Sequence, residues 1–329
     1  ADPIHVHVDP SCLSFELLDY IITCNRRVRA PESFRRDSAQ GEREGRRSST
    51  AVDPPSMGTC DPATSLSVMT ARVTVDLDEH VLRIGINRPE KRNAFDLATI
   101  DEFGAAYQRL ADDDEARVGL VYAHGDHFSA GLDLAEVGPA VAAQGPEALA
   151  GGHDYDPFGI WKPQVPKPVV LAVNGISFTL SIELALASDI VVAADDVRFR
   201  QLEIGRGIMP FGGGTFRGPA QLGWGNAMRY LLTGEEFGAD YALHIGLVQE
   251  VVPAGAQVDR AAEIAHLIAA QAPLGVTQTL ANARIARDGG EAAAVQHIRD
   301  TLPAILASED AAEGVLSFIE RRDARFTGR

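Results

Sequence analysis

Short apolar segments of β-strand character alternate with segments of helical spacing over much of the chain. Residues 73–77 and 81–86 alternate apolar and polar side chains, which predicts an antiparallel pair of strands with residues 78–80 as the turn. Further strands are predicted at 118–122, 169–173 and 190–193, and helices at 98–111 and 182–187. Strands separated by helices usually form a largely parallel sheet. The alternation therefore predicts an α/β fold.

The chain from residue 258 onward is rich in alanine and predicts a helical C-terminal region, interrupted at Gly289-Gly290 and at Pro303. The last helix is predicted to begin after Ser308, whose hydroxyl would cap its N-terminus. Arg321 and Arg322 are predicted to lie in the last turn, where positive charge interacts favourably with the helix dipole.

The first 68 residues differ in composition from the rest of the chain. They contain all three cysteines, and residues 32–68 have very few large apolar side chains. Such a segment cannot bury enough surface to offset its ordering entropy, so residues 1–68 are predicted to be an extension. Two interpretations stay open: a disordered regulatory tail, or residues upstream of the true start. The position of Met69 just before the first strand favours the second.

The acidic character of the protein lies almost wholly outside this extension. The 329-residue chain has a net charge of −16, and the extension holds ten of the 46 acidic and eight of the 30 basic side chains. A negative body disfavours nucleic acid and anionic membranes as partners. No run of about eighteen apolar residues predicts a membrane span. An odd cysteine count, confined to the extension, gives no disulfide framework and predicts a reducing, cytoplasmic location.

Several common catalytic motifs are absent from the sequence. None of the three lysines follows a glycine, which excludes a phosphate-binding P-loop. The sequence also has neither G-x-G-x-x-G nor the G-x-S-x-G elbow of serine hydrolases. His124 and His127 have the spacing of a metal-ligand pair, but no third ligand is placed to complete a site. They are predicted to be polar turn residues, and no metal is expected.

Three segments remain as candidate sites, and the first is 124–135. There a strand leads into small residues and then into a helix. Such a turn can direct unpaired backbone N–H groups at a ligand oxygen, or it can simply connect a strand to a helix. The residues alone leave both interpretations open.

The other two candidate segments each contain a glutamate. In 167–189 an apolar strand is followed by a helix that starts near Leu180, and Glu183 in its first turn either stabilises the helix dipole or is a buried functional acid. In 199–215, Glu203 precedes a glycine-rich helix start and is either an exposed loop residue or a second acid of one pocket. Two glutamates in one pocket would suit general acid–base catalysis, and burial with mutual repulsion would raise at least one pKa.

Taken in order, seven segments of the chain resemble the crotonase superfamily, the enoyl-CoA hydratase/isomerase proteins. They are 87–94 (NRPEKRNA), 128–134 (FSAGLDL), 168–189, 201–214, 231–234 (LLTG), 242–253 and 308–314 (SEDAAEG). The resemblance implies an α/β fold built as a spiral of ββα units over 69–255. It also implies a helical region at 256–329 that assembles a homotrimer or a dimer of trimers. The implied ligand is an acyl-CoA thioester, and no cofactor is expected because CoA is part of the substrate.

The resemblance also implies the residues of the active site. Backbone N–H groups of Leu132 and Leu180 would form an oxyanion hole for the thioester carbonyl. Glu183 and Glu203 match the two glutamates of the family's hydratases, whereas its isomerases usually keep only the one at Glu203. The implied reaction is syn addition of water to the C2=C3 bond of a 2-enoyl-CoA, with Glu183 activating the water and Glu203 exchanging a proton with C2.

Alternatives to the hydratase remain at this point. They are double-bond isomerisation, thioester hydrolysis or C–C cleavage within the same superfamily, and a non-catalytic binding subunit with the same fold. One departure from the family pattern makes room for them, because Thr179-Leu180-Ser181 replaces the usual three glycines. Bulky Leu180 is expected to narrow the acyl tunnel or to shift the N–H group.

The remaining site assignments from the resemblance concern the two ends of the substrate. The CoA moiety is expected at Arg92, Ala130, Asp133, Leu134 and Ala135, although Arg92 can equally be a plain surface charge. A locally basic rim is expected there, since CoA is a polyanion and the protein is acidic. Residues 145–166 are predicted to form a lid over the acyl end, in which His153, Asp154 and Asp156 either contact the acyl chain or belong to a solvated loop.

Overall fold

A computed structural model describes residues 71–329 of the protein. The predicted extension at 1–68 lies outside the described residues. Ten helices are present in this part of the chain: α1 Leu97–Asp112, α2 Leu134–Gln144, α3 Leu180–Ala187, α4 Gly214–Leu222, α5 Trp224–Thr233, α6 Ala239–His244, α7 Gln257–Ala269, α8 Pro273–Gly289, α9 Glu291–Leu306 and α10 Glu309–Glu320. Nine strands accompany them: β1 Val73–Asp78, β2 Val81–Ile86, β3 Val118–Ala123, β4 Val169–Val173, β5 Ile176–Phe178, β6 Ile190–Ala194, β7 Arg198–Arg200, β8 Glu236–Gly238 and β9 Glu250–Val252.

The first two strands form the predicted antiparallel hairpin. Their register pairs Val73 with Ile86 and Asp78 with Val81, so Asp78 is the last strand residue rather than part of the turn. Glu79 and His80 form the turn, with φ values of 43° and 71°. Positive φ at both central residues follows the right-handed twist of the two strands, which is why two residues suffice to connect them.

The larger sheet has six strands in the order β1-β2-β3-β4-β6-β9, and every pair after the first hairpin is parallel. The central strands β3, β4 and β6 are largely apolar on both faces because helices cover both sides of the sheet there. In β4, Leu171 and Val173 pack into the larger hydrophobic core, whereas Val170 and Ala172 pack into a second core with α7. The predicted α/β fold is confirmed.

A second, small sheet runs in the order β5-β7-β8. Isolated parallel bridges extend it, because Ser129 pairs with Ser177 of β5 and Leu132 pairs with Phe95. Each turn of the chain thus contributes one strand to the large sheet, a short strand or bridge to the small one, and then a helix. This is the spiral of ββα units that the resemblance implies.

Two helix ends show where the local sequence predicted correctly and where it did not. Ser308 caps α10 as predicted, since its side chain accepts a hydrogen bond from the N–H of Ala311 at 3.0 Å. The prediction that Arg321 and Arg322 lie in the last turn is wrong, because α10 ends at Glu320 and Arg321 has φ of 57°. Arg322 instead forms a bidentate ion pair with Glu313, at 2.5 and 2.8 Å.

The last three helices, α8, α9 and α10, contribute little to the two cores. Helix α8 has no buried residue, and Ala294 is the one buried residue of α9. Large apolar side chains are exposed on α9 and α10: Val295, Ile298, Leu302, Leu306, Val315, Leu316, Phe318 and Ile319. Among the helices of residues 71–329, none is both long enough and apolar enough to cross a bilayer.

Candidate active site

The C-terminal ends of several sheet strands surround a cavity of about 160 Å³. The four residues that the sequence singled out for chemistry, Leu132, Leu180, Glu183 and Glu203, all line this cavity. They come from three distant segments of the chain, which only the spiral brings together. The complete wall consists of Ala130, Leu132, Leu134, Thr179, Leu180, Glu183, Leu202, Glu203, Arg206, Ile208 and Phe211.

The two candidate oxyanion-hole residues each follow a residue in an unusual backbone conformation. Gly131 has φ of 96° and precedes Leu132, whereas Thr179 has φ of 52° and ψ of −112° and precedes Leu180. A β-branched residue at positive φ is strained, and such strain persists only where the surroundings enforce it. Within residues 71–329, the N–H groups of Leu132 and Leu180 donate to no backbone or side-chain acceptor. Both remain available to a ligand oxygen.

Gly131 and Thr179 contact each other, so the two N–H-bearing turns are fitted together. A Cβ atom placed on Gly131 would overlap the Thr179 hydroxyl. Ser129 reinforces this arrangement, because its hydroxyl donates to the Asn93 carbonyl at 2.7 Å and accepts from the Gly131 N–H at 3.1 Å. The Ser181 hydroxyl donates to the Ser129 carbonyl at 3.2 Å, which ties the first turn of α3 to the 129–131 turn.

Two further residues support the site, Asn93 and Arg88, and sequence reasoning did not assign them a role. Asn93 is fully buried, and its side-chain NH2 donates to the carbonyls of His124 and His127 at 2.9 and 2.7 Å. Arg88 is also buried and donates to the Asp133 carboxylate at 2.8 Å. The signal available in the sequence was their position in the segment 87–94, which the resemblance included without giving them a role.

Glu183 lies in the first turn of α3 and is 2% exposed. Its Oε1 accepts hydrogen bonds from the N–H groups of Gly212 and Gly214, at 2.8 and 2.9 Å. Its Oε2 makes no hydrogen bond to any other residue in the described part of the chain. Burial raises the pKa of Glu183 to about 7, and the nearby charge of Glu203 also raises it, while the two amide bonds and Arg217 oppose the rise. One oxygen is thus fixed and the other is free for a water molecule.

Glu203 opens a short 3-10 helix, Glu203–Arg206, and is 7% exposed. The interpretation of Glu203 as an exposed loop residue is therefore wrong. Its Oε2 is buried and has no hydrogen-bond partner among the described residues. Burial raises the pKa of this carboxyl, so the protonated form is favoured more than in water. Such a group can deliver a proton to a neighbouring carbon.

The residues expected to contact CoA divide into two groups. Ala130 and Leu134 line the cavity, whereas Arg92 and Ala135 are exposed and outside its wall. Asp133 binds Arg88, which together with backbone contacts lowers its pKa. Sequence reasoning missed Arg206, an exposed cation in the wall of the cavity beside Glu203.

The predicted lid contains one buried acid. Asp156 is 5% exposed, and its carboxylate accepts hydrogen bonds from the N–H groups of Phe158, Ile160 and Trp161 at 2.8–3.0 Å. Asp156 therefore organises the loop, and the interpretation that places this residue in a solvated segment is wrong. The Nε2 atom of His153, another residue of the predicted lid, lies 3.3 Å from Oδ1 of Asp101.

The two turn histidines each have a local partner. His124 Nε2 hydrogen-bonds to the Thr74 hydroxyl at 2.8 Å, and His127 Nδ1 accepts from the Ile176 N–H at 3.3 Å. In the part of the chain that the structure describes, no group of three histidine, cysteine or acidic side chains is placed to hold a metal ion.

Comparison with known proteins agrees with this fold. The family model for enoyl-CoA hydratase/isomerase matches residues 76–329. The matched family model and the similar solved structure place the α/β spiral in the crotonase superfamily. The chain belongs to the enoyl-CoA hydratase/isomerase family within it.

This chain matches individual relatives over nearly their whole length. Carnitinyl-CoA dehydratase of Escherichia coli K12 is 37% identical over 257 residues, which are 76% of this chain and 95% of that protein. The crystal structure of a probable enoyl-CoA hydratase/isomerase from Mycobacterium abscessus is 46% identical, with a TM-score of 0.74 over 78% of this chain and 99% of that one. The crystal structure of an enoyl-CoA hydratase from Mycobacterium tuberculosis H37Rv is 31% identical, with a TM-score of 0.72 over 79% and 100%.

Proposed function

We propose that this protein is a hydro-lyase that adds water to the C2=C3 bond of a 2-enoyl-CoA and catalyses the reverse dehydration of the 3-hydroxyacyl-CoA. One observation supports the proposal above all others: two buried glutamates, Glu183 and Glu203, share a cavity with two unpaired backbone N–H groups. An isomerase needs only one acid–base group, whereas addition of water needs one group for the water and one for C2.

In the proposed reaction the thioester carbonyl oxygen accepts hydrogen bonds from the N–H groups of Leu132 and Leu180. These donors stabilise the enolate that forms. Removal of one such donor in an enzyme typically raises the activation barrier by about 3 kcal/mol. The free Oε2 of Glu183 takes a proton from water as the hydroxyl oxygen bonds to C3. Glu203 then gives its proton to C2. Burial raises the pKa of both carboxyls, which brings each of them closer to the neutral range in which an acid–base group works than an exposed glutamate is.

We further propose that CoA enters along the 130–134 turn with Arg206 at its phosphate-bearing side, and that no cofactor takes part. All proton transfers in the scheme use the carboxyls of Glu183 and Glu203, and the backbone amides only donate hydrogen bonds to the thioester oxygen. The net charge of −16 disfavours a nucleic-acid partner, and a polyanion such as CoA needs a local cation, here Arg206, in spite of that charge.

We propose that the protein assembles as a homotrimer or a dimer of trimers through its C-terminal helices. Large apolar side chains exposed on α9 and α10, among them Leu302 and Ile319, support an interface there. Light scattering coupled to size-exclusion chromatography gives the mass in solution directly. A monomer at micromolar concentration would refute this assignment.

The test of the reaction is a panel of thioesters with products identified by mass. The panel contains 2-enoyl-, 3-enoyl- and 3-hydroxyacyl-CoAs, together with carnitinyl-CoA because of the curated relatives' name. We expect hydration of 2-enoyl-CoA without release of free CoA, which would instead indicate hydrolysis. Turnover of 3-enoyl-CoA alone would support the isomerase, and turnover of no thioester would support a binding subunit.

Matched variants test the roles of the two carboxyls. Glu183→Gln and Glu203→Gln should each lower the hydration rate by about 10²–10⁴-fold, the usual effect of an acid–base group. Glu263→Gln, at an exposed carboxyl on α7, should leave it unchanged. Full hydratase activity in either cavity variant would contradict the two-glutamate mechanism.

A further inference from the structure

Phe211 lies where three cavities meet. It lines the catalytic cavity of about 160 Å³, a smaller cavity of about 30 Å³ and an open groove of about 810 Å³. Among the residues that line these three spaces, no other belongs to all of them. A side chain in this position separates the reacting end of a ligand from the space beyond it.

Both spaces beyond Phe211 have apolar walls. The smaller cavity lies against the lid residues Phe158, Ile160 and Trp161, and the groove lies against Val141, Ile204 and Met209, among others. Apolar walls without a charged side chain favour hydrocarbon over polar or charged groups. The part of a thioester that could occupy these spaces is therefore an extended acyl chain.

The volume of the catalytic cavity limits what it holds by itself. A cavity of roughly 150 Å³ accommodates a molecule of about the size of benzene. The catalytic cavity, of about 160 Å³, is therefore filled by a thioester carbonyl and a few carbons beyond it. A longer chain has to pass between Phe211 and Ile208, the two residues that line both the catalytic cavity and the groove.

The backbone around Phe211 is held by the catalytic site. The next residue, Gly212, donates its N–H to Glu183 Oε1 at 2.8 Å, and the preceding residue, Pro210, is buried. A Cβ on Gly212 would come within 2.6 Å of Glu183 Oε2, so this loop is packed directly on the glutamate. Displacement of Phe211 by a long chain would therefore disturb the hydrogen bond that orients Glu183.

We infer that Phe211 is a specificity-determining residue that closes the catalytic cavity toward the apolar groove and restricts the enzyme to short acyl chains. This inference rests on the proposed function, because it assumes that an acyl thioester occupies the catalytic cavity. Removing the ring should join the catalytic cavity to the groove and admit longer chains.

The test compares wild type with Phe211→Ala on crotonyl-CoA and 2-decenoyl-CoA. We expect the ratio of kcat/KM for the long over the short substrate to rise by roughly 10-fold or more, since one or two buried methylene groups discriminate at this level. Phe211→Leu should give a smaller rise in the same direction. Phe216→Ala is the matched control and should leave the ratio unchanged, because Phe216 is 57% exposed and lines none of these three spaces.

A binding measurement keeps this test separate from that of the proposed function. Calorimetric titration with butanoyl-CoA and decanoyl-CoA should show the same change in the ratio of Kd values, whether or not turnover occurs. Equal preference for long and short chains in wild type would overturn the inference. So would a ratio in folded Phe211→Ala or Phe211→Leu that matches wild type. Absence of hydration with an altered Kd ratio would overturn the proposed reaction alone.

Discussion

The buried carboxyl of Glu183 should cost the folded protein stability at alkaline pH, and Glu183→Gln should remove that cost. Glu183 is 2% exposed, and its pKa is raised by burial from 4.5 to about 7. The glutamine keeps an oxygen that can accept from Gly212 and Gly214, so the substitution removes the charge and retains the two amide bonds. Its effect on stability is therefore chiefly that of the ionised carboxylate.

The magnitude follows from linkage between protonation and folding. A group whose pKa is higher in the folded than in the unfolded state holds its proton more tightly when folded. Stability therefore falls as pH rises from the unfolded value of 4.5 to about 7, and it levels off above that. At about 1.4 kcal/mol per pH unit, the loss is on the order of 3 kcal/mol. Glu183→Gln should escape this loss.

The assay is thermal unfolding of both proteins over a range of pH, followed by circular dichroism. At roughly 2 °C per kcal/mol for a chain of this size, the variant should melt about 6 °C above wild type well above neutral pH. The difference should disappear in acid, where the wild-type carboxyl is protonated in both states. The same variant should have lost its hydratase activity.

A second glutamate supplies a control of opposite sign. Hydrogen bonds from the Arg322 side chain and from the Arg325 N–H lower the pKa of Glu313 to about 2. Ionised Glu313 therefore stabilises the folded state above its unfolded pKa, and Glu313→Gln should lower Tm at neutral pH and not in strong acid. The reasoning would be refuted if Glu183→Gln were less stable than wild type at alkaline pH. It would also be refuted if the difference in Tm between the two proteins did not vary with pH.

Three further predictions concern the framework of the site and its rim. Gly131→Ala should lower kcat by about 10²-fold or more, because the added Cβ overlaps the Thr179 hydroxyl and displaces an oxyanion-hole turn. Gly138→Ala is the control and should leave kcat unchanged, because Gly138 has open space around it. Arg88→Ala should destabilise the protein by about 1–3 kcal/mol, measured as a lower Tm, since it removes a buried guanidinium that pairs with Asp96 and Asp133. Arg206→Ala should raise KM for a CoA thioester by roughly 2- to 5-fold with kcat unchanged, and added salt should reduce this difference between variant and wild type. An unchanged KM would contradict the assignment of Arg206 to the CoA phosphates.

Much of the local architecture could be predicted from periodicity and capping residues. The hairpin of β1 and β2, the helix expected at 98–111 and observed at Leu97–Asp112, and the Ser308 cap all depend on near neighbours in the chain. The errors occur where a side-chain interaction that periodicity does not encode decides the local structure. Arg322 binds Glu313 instead of lying in a last helical turn, and Asp156 satisfies three amides of its own loop instead of facing solvent.

The sequence by itself determined the order of strands and helices, the acidic body and, through its resemblance to the crotonase superfamily, the identity of the candidate acids. These depend on residue type and spacing, which are fully present in a linear chain. Only the tertiary structure decided that Glu183 and Glu203 are both buried in one cavity, since burial and the resulting pKa shifts depend on what surrounds a group. It also decided that Thr179 adopts positive φ against Gly131 and that Phe211 lies between the catalytic cavity and the apolar groove. Those contacts join residues far apart in sequence, and no local pattern encodes them.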